Sequence, residues 1–140
     1  MAIIFDAGPL GAFFDRAERL HRWAVERIEE SEAPLLMCGP VLAETLYLLG
    51  GHARAQDALW GLLENRALNV AFRIEGHIGA LRRVMHEYRD VPMSLADACL
   101  VRIAETYEHH AIMTLASGFS IHRKHGRTPL ALIQPDGTTS

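Results

Sequence analysis

Apolar residues are spaced along this chain in two patterns that alternate. Ala2 to Phe5 is a short unbroken apolar run that ends in Asp6-Ala7-Gly8-Pro9. A run of that length bounded by turn residues predicts a buried strand stopped by a turn. Between Arg16 and Glu30, Leu20, Trp23, Ala24 and Ile28 share one helical face and the charges take the other, which predicts an amphipathic helix. Pro34 to Cys38 is a second strand-like run, closed by Gly39. Pro40 then opens a helix where its missing N–H costs nothing, and Gly50-Gly51 stops that helix after Leu49.

The alternation continues. His52 to Asn65 predicts a helix with Ala55, Leu59 and Leu62 in register, and Asn69 to Phe72 a short strand. Ile74, Ile78, Leu81, Met85 and Tyr88 step by four and three, the spacing of one helix face. Ser94 to Glu105 predicts a further helix, and Ala111 to Leu115 and Pro129 to Ile133 two late strands. Residues 1–134 read as one domain and 135–140 as a short frayed tail. Strands alternating with helices predict an α/β fold in three layers, a mostly parallel central sheet with helices on both faces. In such sheets the ligand crevice lies at the carboxyl ends of the strands.

Composition narrows the class. The chain has 140 residues, 49% of them hydrophobic and 22% charged, which suits a single globular core and not a disordered chain. No apolar run reaches the roughly 18 residues of a membrane helix, and the opening MAIIFDAGPL has no basic segment of the kind a signal peptide carries. Only Cys38 and Cys99 are present, too few for a disulfide framework, so free thiols and a cytoplasmic location are expected. A net charge of −3 argues against a bulk nucleic-acid binder. The one dense basic stretch is His122, Arg123, Lys124, His125 and Arg127, which can hold phosphates if it lines a cleft. His122 and His125 have a spacing that zinc accepts, yet no further cysteine or histidine pair completes a tetrahedral set.

Three acids interrupt apolar elements. Asp6 directly follows the first strand, where the crevice rule points, although Asp-Ala-Gly-Pro is also good turn chemistry. Glu44 is the only charge in the stretch Val41 to Leu49, where the bland reading is an exposed helix side. Asp97 sits three residues after Ser94, a capping-box spacing, and an acid there also suits the helix dipole. Carboxylates that gather repel one another unless a cation neutralises them. An all-oxygen set favours Mg²⁺ or Mn²⁺.

Four segments resemble, in order, the motifs of the PIN-domain family. They are Ile3-Ile4-Phe5-Asp6-Ala7, Pro40 to Leu49 with Glu44, Ser94-Leu95-Ala96-Asp97-Ala98, and Thr114-Leu115 through Phe119 followed by Ile121-His122-Arg123. The resemblance spans most of the chain. It implies a Mg²⁺- or Mn²⁺-dependent ribonuclease similar to the VapC toxins, with Asp6, Glu44 and Asp97 as catalytic metal ligands and Thr114 in support. Arg123, Lys124 and Arg127 are then the expected RNA contacts. It also implies a homodimer neutralised by an antitoxin protein, with no membrane role. The chain departs from the pattern at one place: Thr114-Leu115-Ala116-Ser117-Gly118-Phe119 stands where the family has Thr-Leu-Asp-x-Asp-Phe, so the acids expected at Ala116 and Gly118 are missing. Two functions therefore stay open, a ribonuclease with an incomplete acidic site and a protein that acts by binding RNA or a partner.

Overall fold

A computed structural model describes residues 1–91, 93–116, 122–124 and 128–135, the side chain of Lys124 excepted. Its centre is a five-stranded parallel sheet in the order β3-β2-β1-β4-β7. These strands are β1 (Ala2–Phe5), β2 (Leu35–Met37), β3 (Leu68–Val70), β4 (His110–Met113) and β7 (Leu132–Ile133). The remaining two, β5 (Arg123–Lys124) and β6 (Thr128–Pro129), pair antiparallel as a separate hairpin. Every residue of β1 and β4 is buried, so helices cover both faces at the sheet centre, as continuous apolar runs require. The α/β architecture expected from the alternating periods is therefore the one observed. No helix among the described residues is long and apolar enough to cross a membrane.

Among the described residues six α-helices connect the strands: α1 (Ala7–Phe14), α2 (His21–Glu29), α3 (Gly39–Leu49), α4 (Ala53–Glu64), α5 (Ile78–Glu87) and α6 (Leu95–Thr106). The first of these corrects the sequence reading, which placed a turn after Asp6. Asp6 caps a helix instead: its backbone is extended (φ −79°, ψ 166°) and its Oδ1 accepts the Ala7 N–H at 2.8 Å. Pro9 falls in the first turn, where a missing N–H breaks no helical bond. Gly8 has a packing reason, since a Cβ there would lie 3.1 Å from Cγ of Leu115.

Other boundaries shift for local reasons. The helix expected over Arg16 to Glu30 begins only at His21, because Asp15 and the residues after it turn the chain out of α1. The first turn of the helix expected from Ile74 is a 3₁₀ turn (Ile74–His77). The strand expected from Pro129 to Ile133 is divided, its start pairing with β5 and its end joining the sheet beside β4. The expected tail beyond Pro135 lies outside the described residues.

The core is built on β1 and β4, with Ile4, Phe5, Ile112 and Met113 fully enclosed by α3 and α6 residues such as Val41, Leu100 and Ile103. The sheet edge differs, since Val70 on β3 is 47% exposed. Ile4→Ala is expected to cost about 2–5 kcal/mol in urea unfolding, and Val70→Ala less than about 0.5 kcal/mol. Equal losses at the two positions would contradict this placement of the core.

Candidate active site

The register of two neighbouring strands creates the centre of the site. Phe5 pairs with Met113 across β1 and β4, so the next residues, Asp6 and Thr114, face each other at the carboxyl end of the sheet. The Thr114 hydroxyl donates to Asp6 Oδ2 at 2.8 Å and accepts the Ala116 N–H at 3.1 Å. Both residues are buried. Each Asp6 oxygen thus already accepts one hydrogen bond, Oδ1 from Ala7 and Oδ2 from Thr114. Burial nevertheless pushes the Asp6 carboxyl above its ordinary value of 3.8, against the two hydrogen bonds, and the charge of Asp97 adds to the rise.

Asp97 enters from the start of α6. Its N–H donates to Ser94 Oγ at 3.0 Å and its Oδ2 accepts the Ser94 N–H at 3.1 Å, the capping box that the Ser94–Asp97 spacing suggests. Oδ1 of Asp97 makes no hydrogen bond among the described residues. Glu44 stands on α3, whose buried stripe is Val41, Thr45 and Leu49. The acid itself is exposed on the flank of that stripe. Its carboxyl is raised by partial burial and then by the charges of Asp6 and Asp97. Three acids from three elements therefore act on one another through space. Among the described residues, no three His, Cys, Asp or Glu side chains are gathered closely enough to hold a metal ion.

The fit to a divalent cation can be judged from these donors. All are carboxylate oxygens, the set that suits Mg²⁺ or Mn²⁺. The Asp6 and Glu44 carboxyls are raised in part by neighbouring negative charge, which a cation relieves. Grooves of about 650 Å³ beside Ile3 and Met113, and about 700 Å³ between Phe14 and Arg54, contain none of the three acids. The chemistry of the donors rather than cavity size marks the candidate site.

Other groups near the site escaped the sequence reading. His122, read there as part of a basic loop, is buried with 3% of its surface exposed, its ring packed edge-on against Tyr88 at 5.0 Å. Desolvation lowers its pKa, and the nearby charge of Asp97 opposes that shift. The Tyr88 hydroxyl accepts the Arg123 N–H at 2.8 Å, which pins this segment to α5. Gln134 Nε2 donates to the Ala116 carbonyl at 3.2 Å, holding the backbone where the family's fourth acid would stand. No local signal in the sequence marks either residue. The Arg123 guanidinium donates to the carbonyl of its neighbour His122 at 3.0 Å, so it is folded back along its own segment. The Lys124 side chain, Arg127, His125 and Gly118 lie outside the described residues. Cys38 and Cys99 are free and buried. Their thiols share a hydrogen bond that, with burial, pushes the Cys38 thiol up and, against burial, pulls the Cys99 thiol down.

The PIN-domain family model matches residues 3–123. The chain belongs to the PIN-domain family. It is 31% identical over 115 residues to the ribonuclease VapC26 of Mycobacterium tuberculosis, covering 81% of this chain and 85% of that protein. Its fold is similar to the crystal structure of VapC20 from the same organism, a sarcin–ricin loop cleaving toxin. That match has a TM-score of 0.72 at 19% identity, over 85% of this chain and 93% of the other. Membership accounts for the layer order and for an acid ending β1.

The raised carboxyls set a pH dependence. A folded-state pKa above the unfolded value means that the folded state binds protons more tightly. Asp6 and Glu44 therefore destabilise the fold as pH rises from their ordinary values, 3.8 and 4.5, through their raised ones. Asp6→Asn removes one titration and relieves Glu44. With metal chelated, unfolding free energy measured from pH 4 to pH 8 is expected to fall less for Asp6→Asn than for the parent. Parallel curves would show that Asp6 carries no such strain.

Proposed function

We propose that this chain is a metal-dependent endoribonuclease of the VapC kind, with Asp6, Glu44 and Asp97 as its catalytic acids. The observation that carries the reading is a buried carboxylate, Asp6, raised in pKa although it holds two hydrogen bonds, with two further acids acting in the same space. A structural acid has no need of such neighbours. The relative VapC26, a ribonuclease, supports the substrate class.

In this reading Asp6, Glu44 and Asp97 would hold Mg²⁺ or Mn²⁺. Bound there, such an ion lowers the pKa of water towards neutrality and offsets charge on a phosphodiester. Thr114 keeps Asp6 in one rotamer by binding Oδ2, and Ser94 does the same for Asp97 through its backbone N–H. The remaining lone pairs of Asp6 and Oδ1 of Asp97 are left to face the crevice. Water attacks phosphorus, one P–O bond forms and one breaks, and the RNA strand is cut. Arg123, Lys124 and Arg127 are the proposed phosphate contacts. A homodimer and an inhibitory antitoxin protein complete the reading, and the protein acts in the cytoplasm.

A second reading, a PIN domain that binds RNA or a partner protein without efficient turnover, draws on Ala116. A methyl group there adds no charge to attract the ion and cannot orient water. Loss of one stabilising group of this kind costs about 2–4 kcal/mol in the transition state, roughly 30- to 1000-fold in rate. Cleavage of total RNA, followed in time against Mn²⁺ concentration, separates the readings. The parent is expected to cleave slowly and to need abundant Mn²⁺, Ala116→Asp to cleave faster within that range and bind Mn²⁺ more tightly, and Asp6→Asn to be inert. Cleavage that survives Asp6→Asn would defeat the assignment. Absence of metal binding in both the parent and Ala116→Asp would leave the binding reading.

A further inference from the structure

We propose that Gln134 supplies the oxygen that stands towards the cation in place of the acid missing at Ala116. This rests on the metal-dependent reading of the site. The register of the last strand carries the inference. Ile133 on β7 pairs with Met113 on β4, and Met113 with Phe5 on β1. One residue further along the three strands stand Gln134, Thr114 and Asp6. The ladder still holds at this level, where the Thr114 N–H donates to the Ile133 carbonyl at 3.1 Å and the Asp6 N–H to the Met113 carbonyl at 3.0 Å. Side chains in register across neighbouring strands leave the same face of a sheet. The bond from Thr114 to Asp6 Oδ2 marks that face as the one the site uses. Gln134 is therefore the third polar side chain in a row across the carboxyl ends of β1, β4 and β7.

Its amide is held where the missing acid would be. Nε2 donates to the Ala116 carbonyl at 3.2 Å, which sets the head group beside that position. Only the nitrogen end of an amide can donate, so this bond also decides which end is left over, the acceptor Oε1. Oε1 makes no hydrogen bond among the described residues. The Thr114 hydroxyl is engaged twice already, donating to Asp6 and accepting from Ala116. Carbonyl oxygens are among the hard donors that Mg²⁺ and Mn²⁺ accept. A neutral oxygen adds no charge, so it replaces a carboxylate only in part. Holding the backbone at Ala116 is the other task open to this side chain, and that task uses the nitrogen alone.

Titration of the full chain with Mn²⁺, followed by the paramagnetic resonance of the free ion, separates the two tasks. Gln134→Ala is expected to bind Mn²⁺ about 10-fold or more weakly than the parent, the usual effect of losing an oriented group beside a metal. Its unfolding midpoint with metal chelated should shift by less than about 5 °C, since one surface hydrogen bond is lost. Gln134→Glu is expected to bind Mn²⁺ more tightly than the parent. A carboxylate brings charge to the oxygen, although it can no longer donate to the Ala116 carbonyl. In an Ala116→Asp background the acid is restored, and Gln134→Ala should then cost less than it does in the parent. Gln134→Glu binding no more tightly than the parent would overturn the proposal. So would an equal loss from Gln134→Ala in both backgrounds, the result that a backbone prop gives. Mn²⁺ binding that Asp6→Asn abolishes and that both Gln134 variants leave unchanged defeats this inference alone. A parent that binds no Mn²⁺ defeats it too, and the metal reading with it if Ala116→Asp binds none either. A parent that binds Mn²⁺ through Asp6 and Gln134 yet leaves RNA intact defeats only the ribonuclease reading.

Discussion

The placing of Asp6 at the carboxyl end of this sheet depends on one buried hydrogen bond between strands, from the Thr114 hydroxyl to Asp6 Oδ2 at 2.8 Å. It exists because β1 and β4 are parallel neighbours in a register that leaves Asp6 beside Thr114. A carboxylate at the end of a buried strand has lost most of its water, and it keeps a charge only if donors replace that water. Thr114 and the Ala7 N–H supply two such bonds, each worth about 1.5–3 kcal/mol to a charged acceptor. They are not sufficient, since the carboxyl remains raised. The fold therefore holds Asp6 in place while leaving its charge incompletely satisfied, the state in which an added cation has most effect.

The same division of labour recurs at Asp97. One oxygen closes the capping box that starts α6, and the other is uncommitted. A residue can thus end a helix and serve a site at once, which is why the cap and the metal readings of Asp97 do not compete. Glu44 has neither constraint and sits on the exposed flank of α3. Of the three acids it is the one that no hydrogen bond holds among the described residues. The departure at Ala116 falls where the backbone is otherwise well held, by Thr114 on its N–H and Gln134 on its carbonyl.

The sheet and most helices were legible in the chain because unbroken apolar runs and helical spacings do not mimic each other. The three acids were legible for a related reason: a charge inside an apolar element is expensive, so it stands out. What could not be read depends on contacts distant in sequence. Asp6-Ala7-Gly8-Pro9 carries the chemistry of a turn and of a helix start alike, and Leu115 packing on Gly8 is part of what tertiary structure adds. His122 looked like one more cation in a basic loop until Tyr88, on the other side of a long stretch of chain, enclosed it. The division of the last expected strand follows from a hairpin whose partner is two residues long.

The central proposal is that Asp6, Glu44 and Asp97 close on a divalent cation. Crystals of the chain soaked in Mn²⁺ and measured at the manganese absorption edge test it most directly. The expected result is an anomalous peak bound by oxygens of Asp6 and Asp97, with Glu44 drawn towards it. Manganese bound only elsewhere on the surface, with Glu44 unmoved, would contradict the account.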